Sequence, residues 1–538
     1  MYNLQIAIEQ INSRGGDVAR NRQIIIERIE HAVSEGAELI VFPELSLSGY
    51  GADDFFLKTQ FLKTCHEALI DIAKYVPAHV IALVGYPERG AAGVYSSVGI
   101  LSGGQIIGNH RKTVIPNLEL YMEHRYFTAG TDKTVIEIRG IKIGVIISEE
   151  LFHEERLPEC DVLCCAAAFL WSHELSLSRA VYLCHLANTR SMPIVYVNHV
   201  GVSNSLLLEG CSALINAEGI NLLTLRHFDE DQRVTSMNQL QSENPQPEYR
   251  TTTYLKHLYW AIKFVMQEFI TTTPHKKALI LMDGSLNSQL ILFIAMKALG
   301  KERVAGLWVQ SRWDSPYLKE HIQNFMTPLG VKLYSWNLEN EIIDGFISQG
   351  EQLLDERWKM GTYDRFKSTI FISVAELLGA WPVSSIDKTQ IALGIKDNIA
   401  SFALTGFMPL TDVYQSQLVE LAELLNASNE RAIFPVSLIE RAKNATLQKH
   451  FVNHGRETKI SEIDDILRAY MEGNQSVKEI MAHASNPELV ATLIRRLHHE
   501  ELNRVQAGFS PKLSNRSFQN DWLFPTVVDW GSIDIETL

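Results

Sequence analysis

The chain has 538 residues, 46% of them hydrophobic and 21% charged, with 49 basic against 63 acidic side chains and a net charge of −14. That length implies roughly two to four domains, each with its own core, and the composition excludes a disordered, collagen-like or disulfide-scaffold protein. The acidic balance offers no global field for nucleic acid, and none of the six cysteines (Cys65, Cys160, Cys164, Cys165, Cys184, Cys211) forms the CxxC pair of a zinc site. MYNLQIAIEQ carries no basic and apolar leader, and no apolar run is long enough to span a bilayer. The expectation is a cytoplasmic protein with neither a nucleic-acid nor a membrane partner and no resident protein-held metal.

Up to about residue 226 short β-rich runs alternate with turns: Leu4–Ile11, Glu38–Leu45, His79–Pro87, Ser97–Lys112, Val135–Ser148, Asp161–Ala168, Pro193–Val200 and Cys211–Arg226. SSVGILSGGQIIGNHRK and TVIEIRGIKIGVIIS each place a glycine turn between two such runs, which predicts hairpins. Apolar residues at helical spacing predict helices over Asn21–Glu35, ending at Gly36, and Phe55–Lys74, before Pro77. Residues 227–252 have few large apolar side chains and read as a polar linker. Beyond it, a helix at Tyr254–Thr271, a strand at Lys277–Met282, a helix at Ser288–Ala298, a strand at Val304–Val309 and a helix at Tyr317–Met326 predict βαβ units and a parallel sheet. From about Ile460 the pattern is helical, then irregular and aromatic. The expected domains are therefore 1–226 and 253–538, joined by 227–252.

Three polar residues stand at the ends of apolar strands in the first half: Glu44, Lys112 and Ser148. Such a set can supply a carboxylate base, a cation for an oxyanion and a nucleophile. The segments FPELSLSGY, HRKTVIPNLELYMEHRYFTAG and GVIISEELF, followed by VYVNHVG and LEGCSALINAEG, resemble in order the blocks of the nitrilase (carbon-nitrogen hydrolase) family. The resemblance implies a four-layer αββα sandwich with Glu44 as base, Lys112 as oxyanion stabiliser and Glu123 as an orienting carboxylate. It also places the family's nucleophilic cysteine on Ser148. A serine hydroxyl is far harder to ionise than a thiol, so this exchange predicts weak or absent amide hydrolysis. Cys160, Cys164 and Cys165 lie further along, on or before the next apolar strand, where cysteines are ordinarily inert packing residues.

In the second half ALILMDGSLNSQLILFIAM sets a loop, Asp283–Ser288, between a strand and an apolar helix, the position in which backbone N–H groups face phosphate. With VAGLWVQSRWDS, YDRFKSTIFISVAELLG, ALGIKDN, PLTDVYQSQLVELAELL and the C-terminal aromatic stretch, this half resembles the synthetase domain of NAD synthetases, a family of ATP pyrophosphatases with a SGGxDS loop. The two halves together resemble glutamine-dependent NAD synthetases. The resemblance implies a parallel-sheet α/β ATP-pyrophosphatase-like domain, glutamine, ATP and deamido-NAD as small-molecule partners, magnesium as a cofactor, and a homo-oligomer. It places nucleotide binding on Asp283, Gly284, Ser285, Asn287 and Ser288, and a further lysine at Lys396, within a block aligned to Leu393–Asn398. The loop lacks one glycine and the acidic residue, since Asn287 stands in its place. The lysine expected after DVY is Gln415, and an RxRG-like motif reads Arg365-Phe-Lys367-Ser368. Substitutions at the phosphate cradle, the metal carboxylate and the cation together predict a homologue impaired at both sites and retained for binding, assembly or regulation. The other reading is an active synthetase that converts deamido-NAD, ATP and glutamine to NAD, AMP and diphosphate.

Overall fold

The computed structural model describes residues 3–117, 120, 122–240, 253–311, 314–338, 345, 348, 356–394, 406–445, 458–505 and 507–535. It divides into two compact units, Met1–Thr252 and Thr253–Leu538.

The first unit is built on two six-stranded sheets. One holds β1 (Gln5–Gln10), β2 (Leu39–Val41), β3 (Ile81–Arg89), β4 (Val94–Ser102) and β5 (Gln105–Arg111) in that order. The other holds β6 (Thr134–Ile138), β7 (Ile141–Ile147), β8 (Val162–Ala167), β9 (Ile194–Asn198), β12 (Ala213–Ile215) and β13 (Asn221–Thr224), and a separate ribbon pairs β10 (Val200–Ser203) with β11 (Leu206–Glu209). Both hairpins predicted from glycine turns are present, β4 with β5 and β6 with β7.

Strand alternation explains the layers, because successive side chains point to opposite faces. Ile6 and Ile8 of β1 and Ile143, Val145 and Ile147 of β7 share the core between the sheets. Ala7 faces outward with Ile25, Ile29, Leu69 and Ile72, which belong to α1 (Val18–Ser34) and α2 (Thr59–Ala73). Ile146 faces the opposite way with Leu183, Leu186 and Ala187 of α3 (His173–Arg190). The unit is thus an αββα sandwich.

Several expectations need correction. The first helix starts at Val18 rather than Asn21, because Asp17 caps it by accepting the N–H of Arg20. The stretch at Phe55 opens as a 3-10 turn, Asp53–Leu57, before α2. Part of the polar segment 227–252 is structured: β14 (Asp231–Ser236) pairs antiparallel with β1 along its whole length. Its alternation is mostly polar because it is an edge strand held by backbone bonds, with Thr235 its buried position.

The second unit carries a four-stranded sheet, β15 (Ala278–Leu281), β16 (Val304–Gln310), β17 (Lys332–Asn337) and β18 (Trp381–Val383), in the order β17-β16-β15-β18 and parallel throughout. Helices Leu286–Leu299 and Leu318–Leu329 connect its first strands. The first of these is buried on almost every side from Leu286 to Ala295, which fits its unbroken apolar sequence. A second core joins Ile460–Met471, Val477–His483 and Pro487–His499 with Trp522. No described helix is long and apolar enough to cross a membrane.

Candidate active sites

In the first unit, strand ends bring Glu44, Lys112 and Ser148 together. Glu44 follows β2, and Gly85 of β3 lets its loop pass closely: a Cβ there would lie 2.3 Å from the Pro43 carbonyl oxygen and 2.4 Å from the Leu45 nitrogen. Lys112 directly follows β5 and Ser148 directly follows β7. Ser148 has φ 41°, a left-handed conformation that β-branched strand residues avoid and that turns its side chain out of the strand alternation.

The Ser148 hydroxyl donates to Glu44 Oε2 at 2.5 Å and accepts the Ala168 N–H at 3.0 Å. Ser96 donates to the other oxygen of Glu44 at 2.6 Å. Lys112 Nζ lies 3.1 Å from Glu44 Oε1, 2.8 Å from Glu123 Oε2 and 2.6 Å from Glu149 Oε2, and Tyr50 donates to Glu123 at 3.0 Å. Glu44 and Lys112 are fully buried, and Ser148 and Glu123 nearly so. Burial opposes the charge of Lys112, yet Glu123, Glu149 and Glu44 hold its ammonium well above the usual lysine range. Burial likewise pushes Glu123 and Glu149 upward, with Lys112 pulling them back. The carboxylates of Glu44, Glu123 and Glu149 are close enough together to hold an ion, but the Lys112 ammonium already occupies the centre of that set.

Glu149 and Glu150 are absent from the expected site. Glu150 fixes the turn behind Ser148, accepting the Ile147 N–H, the Thr113 N–H and the Thr113 hydroxyl at 2.6 Å each and bonding His110 Nε2 at 2.9 Å. Burial works against its charge, but the bonds from His110 and Thr113 keep it below the usual carboxylate range. The signal for both was two adjacent acids immediately after an apolar strand. Cys164 and Cys165 are buried within β8, and Cys160 precedes it. Burial raises all three thiols, Cys160 to about 11.

In the second unit Asp283–Ser288 follows β15, one of the two inner strands of its sheet. Gly284 has φ +78°, and a Cβ there would lie 2.3 Å from Leu318 Cδ1. The two serines of the loop are engaged within the chain. Asp283 Oδ1 accepts the Ser285 N–H at 2.9 Å and the Ser285 hydroxyl at 2.7 Å, and the Ser285 hydroxyl oxygen accepts the Ser288 N–H at 3.2 Å. Asn287, buried, donates to Asp387 Oδ2 at 2.8 Å and to Gln415 Oε1 at 3.2 Å. The two positions where charge was expected, 287 and 415, are thus partners, and both are neutral. Burial pushes Asp387 up to about 7, partly offset by the Gln390 N–H and by Asn287.

Sequence reading placed Lys396 beside this loop; residue 396 lies outside the described residues. The segment that the structure brings there is Asp387–Gln390, which follows β18 on the side of β15 opposite β16. Its Lys388 is fully buried, 3.1 Å from Asp412 and 2.8 Å from Glu472. No short-range pattern linked Asn287 to Asp387 across 100 positions of sequence. The loop as it stands offers magnesium no carboxylate at position 287, where the buried Asn287 amide bonds Asp387, and the Asp283 carboxylate holds the N–H and hydroxyl of Ser285.

The family model for carbon-nitrogen hydrolase matches residues 5–246, and that for NAD synthase matches residues 258–507. The chain is 27% identical over 541 aligned residues to the glutamine-dependent NAD(+) synthetase of Xylella fastidiosa strain Temecula1, covering 97% of this chain and 98% of that one. With the enzyme of the same name from Acinetobacter baylyi the identity is 24%, over 99% of this chain and all of the relative. The solved glutamine-dependent NAD+ synthetase of Acinetobacter baumannii, in complex with ADP, superimposes with a TM-score of 0.76 at 23% identity over 99% of this chain and 100% of that one. That of Cytophaga hutchinsonii gives 0.84 at 14% identity over the full length of both. The chain therefore joins a segment that matches carbon-nitrogen hydrolase to one that matches NAD synthase, and over its whole length it is a homologue of the glutamine-dependent NAD synthetases.

Proposed function

We propose that this chain is a homologue of glutamine-dependent NAD synthetase whose glutaminase and ATP-dependent amidation sites are both impaired, and that it is retained for binding, assembly or regulation. The observation that carries this reading is the Asp283 carboxylate, which accepts the N–H and hydroxyl of Ser285 inside its own loop. A phosphate entering there has to displace one anion and approach it. At about 4 Å and an effective dielectric of about 20 the repulsion is roughly 4 kcal/mol, near a thousandfold in affinity. Homology to NAD synthetases implies an ancestral use of ATP; the neutral pair Asn287 and Gln415 supports the loss of magnesium and phosphate charge compensation.

At the first site the reading assigns Glu44 as base, Lys112 as the cation for an oxyanion, Glu123 as orienting carboxylate and Ser148 as an ineffective occupant of the nucleophile position. Glu44 can accept a proton from position 148 along a bond that already exists. The hydroxyl's resistance to ionisation makes that transfer costly, and neither of the described partners of the hydroxyl, Glu44 and the Ala168 N–H, is an imidazole that could assist it. The intact arrangement of Glu44 and Lys112 favours a second reading, a slow glutaminase.

The deciding experiment supplies purified protein with ATP, magnesium and deamido-NAD, and either ammonia or glutamine. The expected result is no NAD from either nitrogen source. Ammonia-dependent NAD formation would restore the active synthetase as the reading; turnover of glutamine to glutamate without NAD would support the slow glutaminase.

A further inference from the structure

A different part of the first unit holds a second constellation of reactive groups. Glu209 ends β11, Gly210 and Cys211 follow with φ 71° and 58°, and His227 lies just beyond β13. Cys211 Sγ is 3.3 Å from His227 Nε2, and His227 Nδ1 is 3.4 Å from Glu209 Oε2. Glu209 is held from behind by α3, accepting from the Ser176 hydroxyl at 2.8 Å and forming an ion pair with Arg179. Guanidinium, carboxylate, imidazole and sulfur thus stand in a row. Burial disfavours charge on His227, but the Cys211 sulfur and the Glu209 carboxylate push it up to about 10, so the imidazole is protonated at neutral pH.

The three ligand-type groups are close enough together to suggest a metal site. The orientation argues otherwise. The sulfur and the carboxylate face opposite nitrogens of one ring, so a single ion cannot take one ring nitrogen and keep both neighbours where they are. The Arg179 guanidinium on the other oxygen of Glu209 already pairs that carboxylate with a positive charge. A ring that meets sulfur with one nitrogen and an orienting carboxylate with the other is instead the arrangement that activates a thiol.

We propose that Cys211 is a covalent modification site for small uncharged carbon electrophiles, its sulfur activated by His227, which Glu209 orients. In the reaction the sulfur attacks the electrophilic carbon, an S–C bond forms, the bond to the leaving group breaks with its electron pair, and the thiol proton is released to solvent while the His227 imidazolium keeps its own. The other thiols are controls within the same chain. Cys65, Cys164 and Cys165 are buried; Cys160 and Cys184 are half-buried like Cys211, and burial raises both thiols.

The test treats the full chain with limiting iodoacetamide at pH 7 and follows each cysteine by mass spectrometry. Cys211 is expected to alkylate at least tenfold faster than Cys160 or Cys184, and His227→Gln to remove most of that advantage while Cys65, Cys164 and Cys165 remain protected. Labelling of Cys211 no faster than Cys184 overturns the proposal, as does an unchanged Cys211 rate in a folded His227→Gln protein. If His227→Gln exposes the buried thiols, the order of labelling in the unmodified chain decides the matter by itself.

Discussion

The two candidate active sites depart from their families in different ways. Around Ser148 every described partner is in place, with the base at bonding distance, the ammonium buried among carboxylates and the backbone bent at position 148, and one side-chain atom has changed. Around Asp283 the change is spread over partners: Asn287 bonds Gln415 and Asp387, while Asp283 turns inward on Ser285. On the proposed reading, a change of one atom leaves a scaffold that one substitution should repair. On the same reading, a change spread over several coupled partners should not be reversed by any single residue.

The largest effect expected from breaking the first arrangement is on stability. Lys112→Met leaves Glu44, Glu123 and Glu149 facing one another without a cation, and about 3–5 kcal/mol should be lost in urea unfolding. A loss below about 1 kcal/mol would mean that the carboxylates are neutral already. Next comes repair: Ser148→Cys should raise glutamate release from glutamine by at least about a hundredfold, equivalent to about 2.7 kcal/mol of barrier. No gain would move the defect away from position 148.

For the second site, Asn287→Asp alone buries an acid beside Asp387 and should cost about 2 kcal/mol, most of it recovered when Gln415→Lys is added. Neither variant should form NAD from ammonia while Asp283 fills the loop. If the double variant is no more stable than the single one, 287 and 415 are not coupled. The smallest effect is a slope. Asp387 binds its proton more tightly folded, at about 7, than at its ordinary 3.8, so its own contribution to stability is greatest below about pH 4 and falls as pH rises toward 7. The slope from this one group is at most about 1.4 kcal/mol per pH unit, and Asp387→Asn, which keeps a helix cap, should flatten it in denaturation followed from pH 4 to 7.

Much of the sandwich was legible because β-branched alternation and glycine turns act over a few residues, as in the hairpins of β4 with β5 and β6 with β7. Helix α3 was not, because its exposed face carries Leu175, Leu177 and Val181 beside serines and so blurs the apolar stripe. At the sites, Glu44, Lys112, Ser148 and Glu123 could be named from motif order, and they meet in space. Their supports could not: Tyr50 reaches Glu123 across 73 positions and Ser96 reaches Glu44 across 52. Asp283 was visible as a misplaced charge, but its bond to Ser285 depends on the loop's conformation, and the partnership of Asn287 with Gln415 spans 128 positions.

The pairing of β14 with β1 also orders events in time. Strand β1 is complete by residue 10, but its outer edge is covered only by Asp231–Ser236. During synthesis that edge, an open row of N–H and C=O groups, waits for more than two hundred residues before its cover emerges. A polypeptide ending at Arg226 keeps it open permanently and invites strand-to-strand association between copies. One ending at Leu240 supplies its own cover. The polar stretch after Arg226 thus acts as a late-arriving clasp that protects the oldest strand of the sheet.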